Sequence, residues 1–95
     1  MDPIEALEVL SVEAMKFAGR SHAELSSLVD EPVHSQVVGR AGTGYQVEVS
    51  AVWDDKPGHT LRLFFSVDDG GVRAFVPLTR GALVLPGSVF DGELH

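Results

Sequence analysis

The first part of the chain carries apolar residues at every third or fourth position. Six of them lie on one stripe of a helical projection: Ile4, Leu7, Leu10, Ala14, Phe17 and Ala18. Asp2 is a suitable N-cap residue, Pro3 suits the first helical position because its missing N–H has no partner there, and Glu5 completes a box-like capping pattern. The pattern predicts a helix over residues 2–20 whose apolar stripe faces the core.

A second helix start follows a glycine. Ser21 and Glu24 form an S-x-x-E capping pattern. The segment after it directs three apolar residues inward: Leu25, Leu28 and Val29. It ends before Pro32, because helical geometry is disfavoured in the residue ahead of a proline. The helical part therefore spans residues 2–31, either as two helices or as one kinked helix.

From Val33 onward the apolar period changes from helical to alternating. Val33–Val38 is a candidate strand, and three later segments alternate apolar and polar side chains as half-buried strands do: 45–53, 60–67 and 72–78. The tail, residues 81–90, either adds a short strand or covers part of the sheet. The pattern predicts an α+β fold, with one or two N-terminal helices packed on one face of a 3–5-stranded antiparallel meander sheet over residues 33–90.

Two turn motifs set the expected register of the strands. Asp69-Gly70 is typical of a type I′ hairpin turn, in which both central residues have positive φ. The resulting pairs are Val67 with Val72, Phe65 with Ala74 and Leu63 with Val76. Pro57-Gly58 suits the centre of a type II turn and pairs Trp53 with Leu61. Because Pro77 cannot donate to a ladder, the fourth strand is expected to be an edge strand or to end there.

These registers predict an apolar cluster on the face of the sheet away from the helices. Phe64 lies opposite Phe75, with Val52 and Pro77 diagonally near and a charged rim of Glu48, Arg62 and Arg73. Solvent-facing strand positions normally carry polar residues, so this cluster indicates a contact surface. Either the C-terminal segment covers it, through Leu83, Leu85 or Phe90, or a second copy of the chain does. We expect the second copy, in a two-fold dimer.

Composition narrows the class of protein. The chain has 95 residues, which fits a single domain over residues 1–95, and its net charge is −7. Its seven basic residues are scattered, so nucleic acid is not expected as a partner, whereas a basic protein is compatible with the charge. No apolar run is long enough for a membrane span. The absence of cysteine excludes disulfides and cysteine-based zinc sites, and no secretory signal is visible, so a cytoplasmic location is expected.

The residues with chemical potential do not form a catalytic pattern. The glycine-rich stretch 39–44 lacks the lysine of a phosphate-binding loop and leads into a strand. Asp54-Asp55 and Asp68-Asp69 are predicted at opposite ends of one hairpin, roughly 20 Å apart or more. The four histidines lack zinc-ligand spacing, and no serine lies in a G-x-S-x-G context. We therefore assign no catalytic residue, metal or cofactor, and the chain is favoured to be non-enzymatic.

Three residues are candidates for lining a pocket between the helices and the sheet. They are Trp53, Tyr45 and His34. Trp53 and Tyr45 fall on the inward face of the second strand, so core packing is the alternative explanation for both. His34 lies on the first strand, where a surface position is the alternative.

Two segments carry a resemblance to known proteins. WDDKPG at 53–58 and SVDDGGVRAFVPLT at 66–79 resemble a pattern in small uncharacterised bacterial proteins, over roughly residues 21–90. That resemblance implies no activity and no functional residues. At the level of architecture alone, the chain is similar to shortened NTF2-like domains, in which helices and a curved sheet enclose a pocket.

Three functions remain open from the sequence. The leading hypothesis is a protein–protein interaction module that self-associates. The second is an acidic binder or inhibitor of a basic protein, comparable to an immunity protein. The third is a small-ligand binder or enzyme with a pocket between helix and sheet.

Overall fold

The fold is an antiparallel sheet with one long helix packed on one face. The computed structural model describes residues 2–70 and 77–95. Its helices are α1 (Pro3–Phe17) and α2 (His22–Leu25), the latter continued by a 3₁₀ turn (Ser26–Val29). Its strands are β1 (Val33–Val38), β2 (Gly44–Trp53), β3 (Leu61–Asp68) and β4 (Leu78–Val84), in the order β1-β2-β3-β4. The α+β class with an antiparallel meander is confirmed.

The N-terminus of α1 is built as its capping residues predict. Asp2 Oδ1 accepts hydrogen bonds from the amides of Ile4 at 2.9 Å and Glu5 at 3.3 Å. These contacts satisfy two of the amide groups that the first turn of a helix leaves without partners. The helix ends at Phe17, and Gly19 with φ of +85° turns the chain away.

The predicted inward stripe of α1 is only half right. Leu10, Ala14 and Phe17 are buried as expected, whereas Ile4 and Leu7 are exposed. Their places on the buried side are taken by residues that include two carboxylates, Glu5 and Glu13. The helix is rotated because the sheet supplies a partner for one of these groups: the hydroxyl of Tyr45 donates to Glu5.

A separate short helical segment follows α1, so the single kinked helix is excluded. The amide of Glu24 donates to Ser21 Oγ at 3.1 Å, and the amide of Ser21 donates to Glu24 Oε1 at 3.2 Å, which completes the predicted capping box. Leu25 and Leu28 are buried, and Val29 packs against the core.

The β2–β3 hairpin has the predicted register. Trp53 pairs with Leu61, and the inward side chains of both strands meet on the helix side. In the turn, the amide of His59 donates to the carbonyl of Lys56 at 3.1 Å, and Gly58 has φ of +81°. These are the hydrogen bond and the positive φ that a type II turn centred on Pro57-Gly58 requires.

The predicted β3–β4 hairpin is wrong. Val67 pairs with Leu78 rather than Val72, and Phe65 pairs with Arg80 rather than Ala74. Gly70 has the expected φ of +73°, but no residue other than glycine has positive φ in the described chain, so Asp69-Gly70 is not a type I′ turn. The pairing of Phe64 with Phe75 fails with it, because Phe64 faces Gly81.

The fourth strand is an edge strand of the sheet, but Pro77 directly precedes it instead of lying within it or ending it. The strand runs from Leu78 to Val84, so the ring of Pro77 blocks no hydrogen bond of the β3–β4 ladder. Residues 71–76, including the positions predicted to pair with β3, lie outside the described part of the chain.

The C-terminal segment closes the helix side of the sheet. Phe90 is buried, and its ring stacks on Phe65 with centroids 5.8 Å apart. Its amide donates to the carbonyl of Arg20 at 3.0 Å, and its carbonyl accepts from the amide of Gly19 at 2.8 Å. His95 exchanges two backbone hydrogen bonds with Gly81. Phe90 is therefore on the opposite side of the sheet from Phe64 and does not cover it.

Candidate functional site on the outer sheet face

The outer face of the sheet, away from α1, is divided into an apolar and a polar half. The strand register arranges its side chains in cross-strand rows. The row Val52, Arg62, Leu83 and the row Ser50, Phe64, Gly81 lie toward the 54–60 turn. The next two rows carry polar groups: His34, Glu48, Ser66 and Thr79, then Gln36, Gln46 and Asp68. We call Val52, Phe64 and Leu83 the outer apolar patch.

The outer apolar patch is accessible to solvent. Val52 and Leu83 are 46% and 50% exposed, and they flank Arg62 in one row. Phe64 is partly buried and lies beside Gly81, where its Cδ1 is 3.8 Å from the position a Cβ would take. The phenyl ring therefore lies beside Gly81 on the sheet surface. Phe90 packs on the opposite face, whereas His95 pairs with the backbone of Gly81 and lines a cavity together with Phe64 and Leu83. The exposed parts of Val52 and Leu83 are available for contact.

An ion pair neutralises the charge within the apolar half. Asp54 Oδ1 accepts from Arg62 Nε at 2.7 Å and lies 2.6 Å from Nη2. The aliphatic part of the arginine lies between the two aliphatic side chains of the patch, which is a common way for arginine to cover apolar surface. The surface of this half is therefore close to neutral, although the whole chain has a net charge of −7.

The polar half borders a shallow cavity of about 680 Å³. Several of its groups already bind one another. His34 Nε2 is 2.7 Å from Glu48 Oε2, Ser66 Oγ is 2.9 Å from Thr79 Oγ1, and Asp68 accepts from the amide of Gly70. Such mutual pairing is typical of the solvated face of an antiparallel sheet.

Metal binding finds no support in the described residues. Within 2–70 and 77–95, no group of three or more histidine, aspartate or glutamate side chains is placed to hold a metal ion. Asp54 and Asp55 lie at the β2–β3 turn, whereas Asp68 is at the other end of β3.

The structure brings four of the interface candidates onto one face. Val52, Arg62 and Phe64 lie in the apolar half, and Glu48 lies in the neighbouring polar row. Pro77 is exposed beside the polar cavity, away from Val52. Phe75 and Arg73 lie outside the described residues.

The three pocket candidates do not share a cavity. Tyr45 is buried on the inner face, and its hydroxyl donates to Glu5 Oε1 at 2.7 Å. Trp53 lies at the other end of β2, half-buried against His22 with ring centroids 5.8 Å apart. His34 is on the outer face. The residues therefore occupy three separate environments.

Among the side chains with shifted pKa values, Tyr45 and Asp55 have the largest shifts, and both shifts have structural causes. Burial, reinforced by the adjacent Glu5 carboxylate, raises the pKa of Tyr45 to about 12. Hydrogen bonds from His59 and from the amides of Lys56 and Thr60 lower the pKa of Asp55 to about 2. The Tyr45 hydroxyl joins β2 to α1, and the Asp55 carboxylate organises the β2–β3 turn. Neither group therefore indicates a catalytic centre.

Leu83 belongs to the patch and was missed as a member from the sequence. The sequence places Leu83 in the tail, which either adds a short strand or covers part of the sheet, because the alternation assigns the fourth strand to 72–78. The available signal was the inward alternation of Leu78, Ala82 and Val84. Arg80 obscures that signal, because a charged residue takes one of the inward positions of the strand. Its guanidinium donates to the carbonyl of Thr79.

No helix in the described chain is long and apolar enough to cross a membrane. Comparison with protein families, with curated proteins and with solved structures finds no match to this chain.

Proposed function

We propose that the chain is a non-enzymatic interaction module that forms a two-fold homodimer through the outer apolar patch. The observation that carries the proposal is that exposed Val52 and Leu83 lie beside the partly buried Phe64 on the outer sheet face, which Phe90 does not cover and which His95 borders at Gly81. A contiguous apolar surface on a sheet costs solvation free energy unless a partner covers it.

The charges of the patch favour a second copy as its partner. Arg62 lies at the centre and is neutralised by Asp54. A basic protein would bring its positive charge against the arginine, whereas a second copy presents the same neutral pair. A two-fold axis near Phe64 lets Arg62 of each copy approach Asp54 of the other, as an isologous interface requires.

The size of the face predicts a weak dimer. Four strands spaced about 4.8 Å apart, over about seven residues at roughly 3.3 Å each, give a face of roughly 20 Å by 23 Å. Covering all of it on both copies would bury on the order of 900 Å² in total, so the apolar half alone buries less and falls in the range of weak, transient contacts. We therefore expect association that depends on protein concentration in the micromolar range.

Phe64→Glu tests this interface. The substitution places a charge at the centre of the contact, so a dimeric wild type should become a folded monomer. Gln36→Glu is the matched control, since it adds a negative charge to the same face on β1, in the polar half. Sedimentation velocity over a concentration series measures the association, and circular dichroism checks the fold.

A second variant keeps the test independent of folding. Leu83→Glu changes a half-exposed side chain at the margin of the sheet and should also weaken the dimer. A wild type that stays monomeric at high concentration rejects the proposal. The proposal is also rejected if Gln36→Glu weakens the dimer as much as Phe64→Glu does, because added negative charge alone would then explain both losses.

A further inference from the structure

A cavity of about 310 Å³ lies between α1, β4 and the segment 92–95. Helix α1 contributes Leu7, Leu10 and Ser11 to its lining, and β4 contributes Arg80. Leu10 is buried, whereas Leu7 is 38% exposed and borders the open space. A volume of this size is at the lower end of the range found for small-molecule sites. The cavity therefore has room for a small ligand.

The wall formed by residues 92–95 is attached to the rest of the fold at both ends. At one end the chain lies against α1, because a Cβ on Gly92 would come within 2.9 Å of Met15 Sδ. At the other end His95 exchanges two backbone hydrogen bonds with Gly81, at 3.1 and 2.8 Å. A helix, a strand and a tethered segment thus enclose the space, so the cavity is formed before any ligand enters.

Arg80 brings a positive charge to this cavity without a counter-ion. It is partly buried at an inward position of β4, and its Nη1 donates to the carbonyl of Thr79 at 2.9 Å. Among the described residues no carboxylate side chain pairs with it, whereas Lys16, Arg40 and Arg62 each pair with one. A partly buried charge without a counter-ion costs free energy, and a guanidinium can bind a carboxylate through two parallel hydrogen bonds. The site therefore favours an anion.

We infer that this cavity binds a small monocarboxylate with an apolar tail. Arg80 holds the carboxylate, and the hydroxyl of Ser11 and the imidazole of His95 are further hydrogen-bonding groups on the walls. The tail lies against the apolar part of the lining: Leu7, Leu10 and Leu94. The site is on the helix side of the sheet, and binding there does not require the dimer.

The surroundings favour one negative charge over two. Glu93 is exposed and borders the same cavity, and the chain as a whole has a net charge of −7. Both repel a phosphate dianion more strongly than they repel a carboxylate. An inorganic anion would also leave the three leucine side chains in water, whereas an apolar tail covers them. The chemistry of the lining therefore matches an aliphatic or aromatic monocarboxylate.

Titration of the wild type with sodium hexanoate, followed by two-dimensional ¹H–¹⁵N NMR at constant ionic strength, tests the site. A ligand of about eight heavy atoms gains little total free energy, so we expect a dissociation constant in the millimolar range. The amides of Gly81, Gly92 and His95 should shift, and that of Val52 on the outer face should not. 1-Hexanol lacks the charge and should bind at least about tenfold more weakly.

Two substitutions with opposite expected effects locate the charge that matters. Arg80→Met keeps a flexible apolar side chain at an inward position and should weaken hexanoate binding at least about tenfold. Glu93→Gln removes a repulsive charge and should tighten binding up to about fivefold. Lys56→Met is the matched control for Arg80→Met, because it removes one positive charge from an exposed position in the β2–β3 turn, outside the cavity. It should change the affinity less than about twofold.

Four results would overturn the inference. Absence of shifts at the cavity amides up to about 50 mM hexanoate would show that nothing of this class binds. Equal affinity for hexanoate and 1-hexanol, or equal losses in Arg80→Met and Lys56→Met, would remove the role of the guanidinium. Phosphate that binds as tightly as hexanoate would show a site for anions in general. Shifts centred on Val52 would place the ligand on the outer apolar patch.

The comparison of hexanoate with 1-hexanol needs no variant, so it decides the question even where Arg80→Met does not fold. None of these measurements depends on the oligomeric state. A failure of the ligand site is therefore distinguishable from a failure of the proposed dimer.

Discussion

A buried carboxylate connects α1 to the β1–β2 hairpin. Glu5 accepts hydrogen bonds from the Tyr45 hydroxyl at 2.7 Å and from the amide of Ala41 at 3.0 Å. Gly39 borders the same group, and a Cβ there would come within 2.6 Å of Glu5 Oε1. Glycine is needed at position 39 for this close approach. Together with the two hydrogen bonds, it holds the connection between β1 and β2 against α1.

Tyr45 is therefore expected to titrate well above an ordinary tyrosine. Its pKa is raised from 10.0 to about 12, so the folded protein holds the phenolic proton more tightly than the unfolded chain. Its contribution to stability is complete below pH 10 and is lost as the pH rises through about 12. Because Tyr45 is the only tyrosine, alkaline absorbance titration reports on it alone.

Tyr45→Phe provides the matched comparison. At neutral pH it removes a donor from a buried carboxylate and should lower the free energy of unfolding by about 1.5–3 kcal/mol. The difference from wild type in urea unfolding should shrink above pH 10, where the wild type loses its advantage. Ionisation near pH 10 in the folded protein would contradict the buried hydrogen bond.

At the scale of the element, β4 depends on a close approach to β3. A Cβ on Gly81 would lie 2.8 Å from the carbonyl oxygen of Leu63, which is backbone and cannot move without distorting the ladder. The same glycine lies beside the Phe64 ring and exchanges backbone hydrogen bonds with His95. It thus lies between β3 and the C-terminal residue.

Gly81→Ala should destabilise the protein by about 1–3 kcal/mol, because the methyl group overpacks the contact between two strands. Gly44→Ala is the control: Gly44 begins β2, lacks positive φ, and a Cβ there meets no atom within 4 Å. The control should be neutral or slightly stabilising. Equal losses for both variants in urea unfolding would show that the effect is general to strand glycines.

At the scale of the whole molecule, self-association must overcome the net charge. Each copy has a net charge of −7, so two copies repel over distances that salt screens, with a Debye length of about 10 Å at 0.1 M. The outer apolar patch contains a neutral ion pair and apolar side chains. Salt should therefore weaken the repulsion more than it weakens the contact.

We expect the wild-type dimer to become tighter as ionic strength rises. Sedimentation equilibrium in low and moderate sodium chloride measures the dissociation constant, and the control Gln36→Glu should show a slightly steeper salt dependence because each copy gains a negative charge. Tighter association at low salt would mean that attraction between opposite charges holds the copies together, and would contradict an apolar contact.

Some features were determined by the sequence alone because each depends on a few neighbouring residues. The Asp2 cap and the Ser21–Glu24 box satisfy amides within one turn, and β1 has its predicted bounds. The β2–β3 register followed from agreement between the Pro57-Gly58 turn and the alternation of the strands. In these places local chemistry and burial favour the same structure.

The remaining features were decided by tertiary structure, because the sequence is compatible with more than one solution. Residues 72–78 and 78–84 both present alternating apolar side chains, and a nine-residue connection costs only about 1 kcal/mol more closure entropy than a two-residue turn. Packing of Ala82 and Val84 in the core therefore outweighs the shorter turn. The rotation of α1, which exposes Ile4 and Leu7, likewise depends on Tyr45, a hydrogen-bond donor forty residues away in the chain.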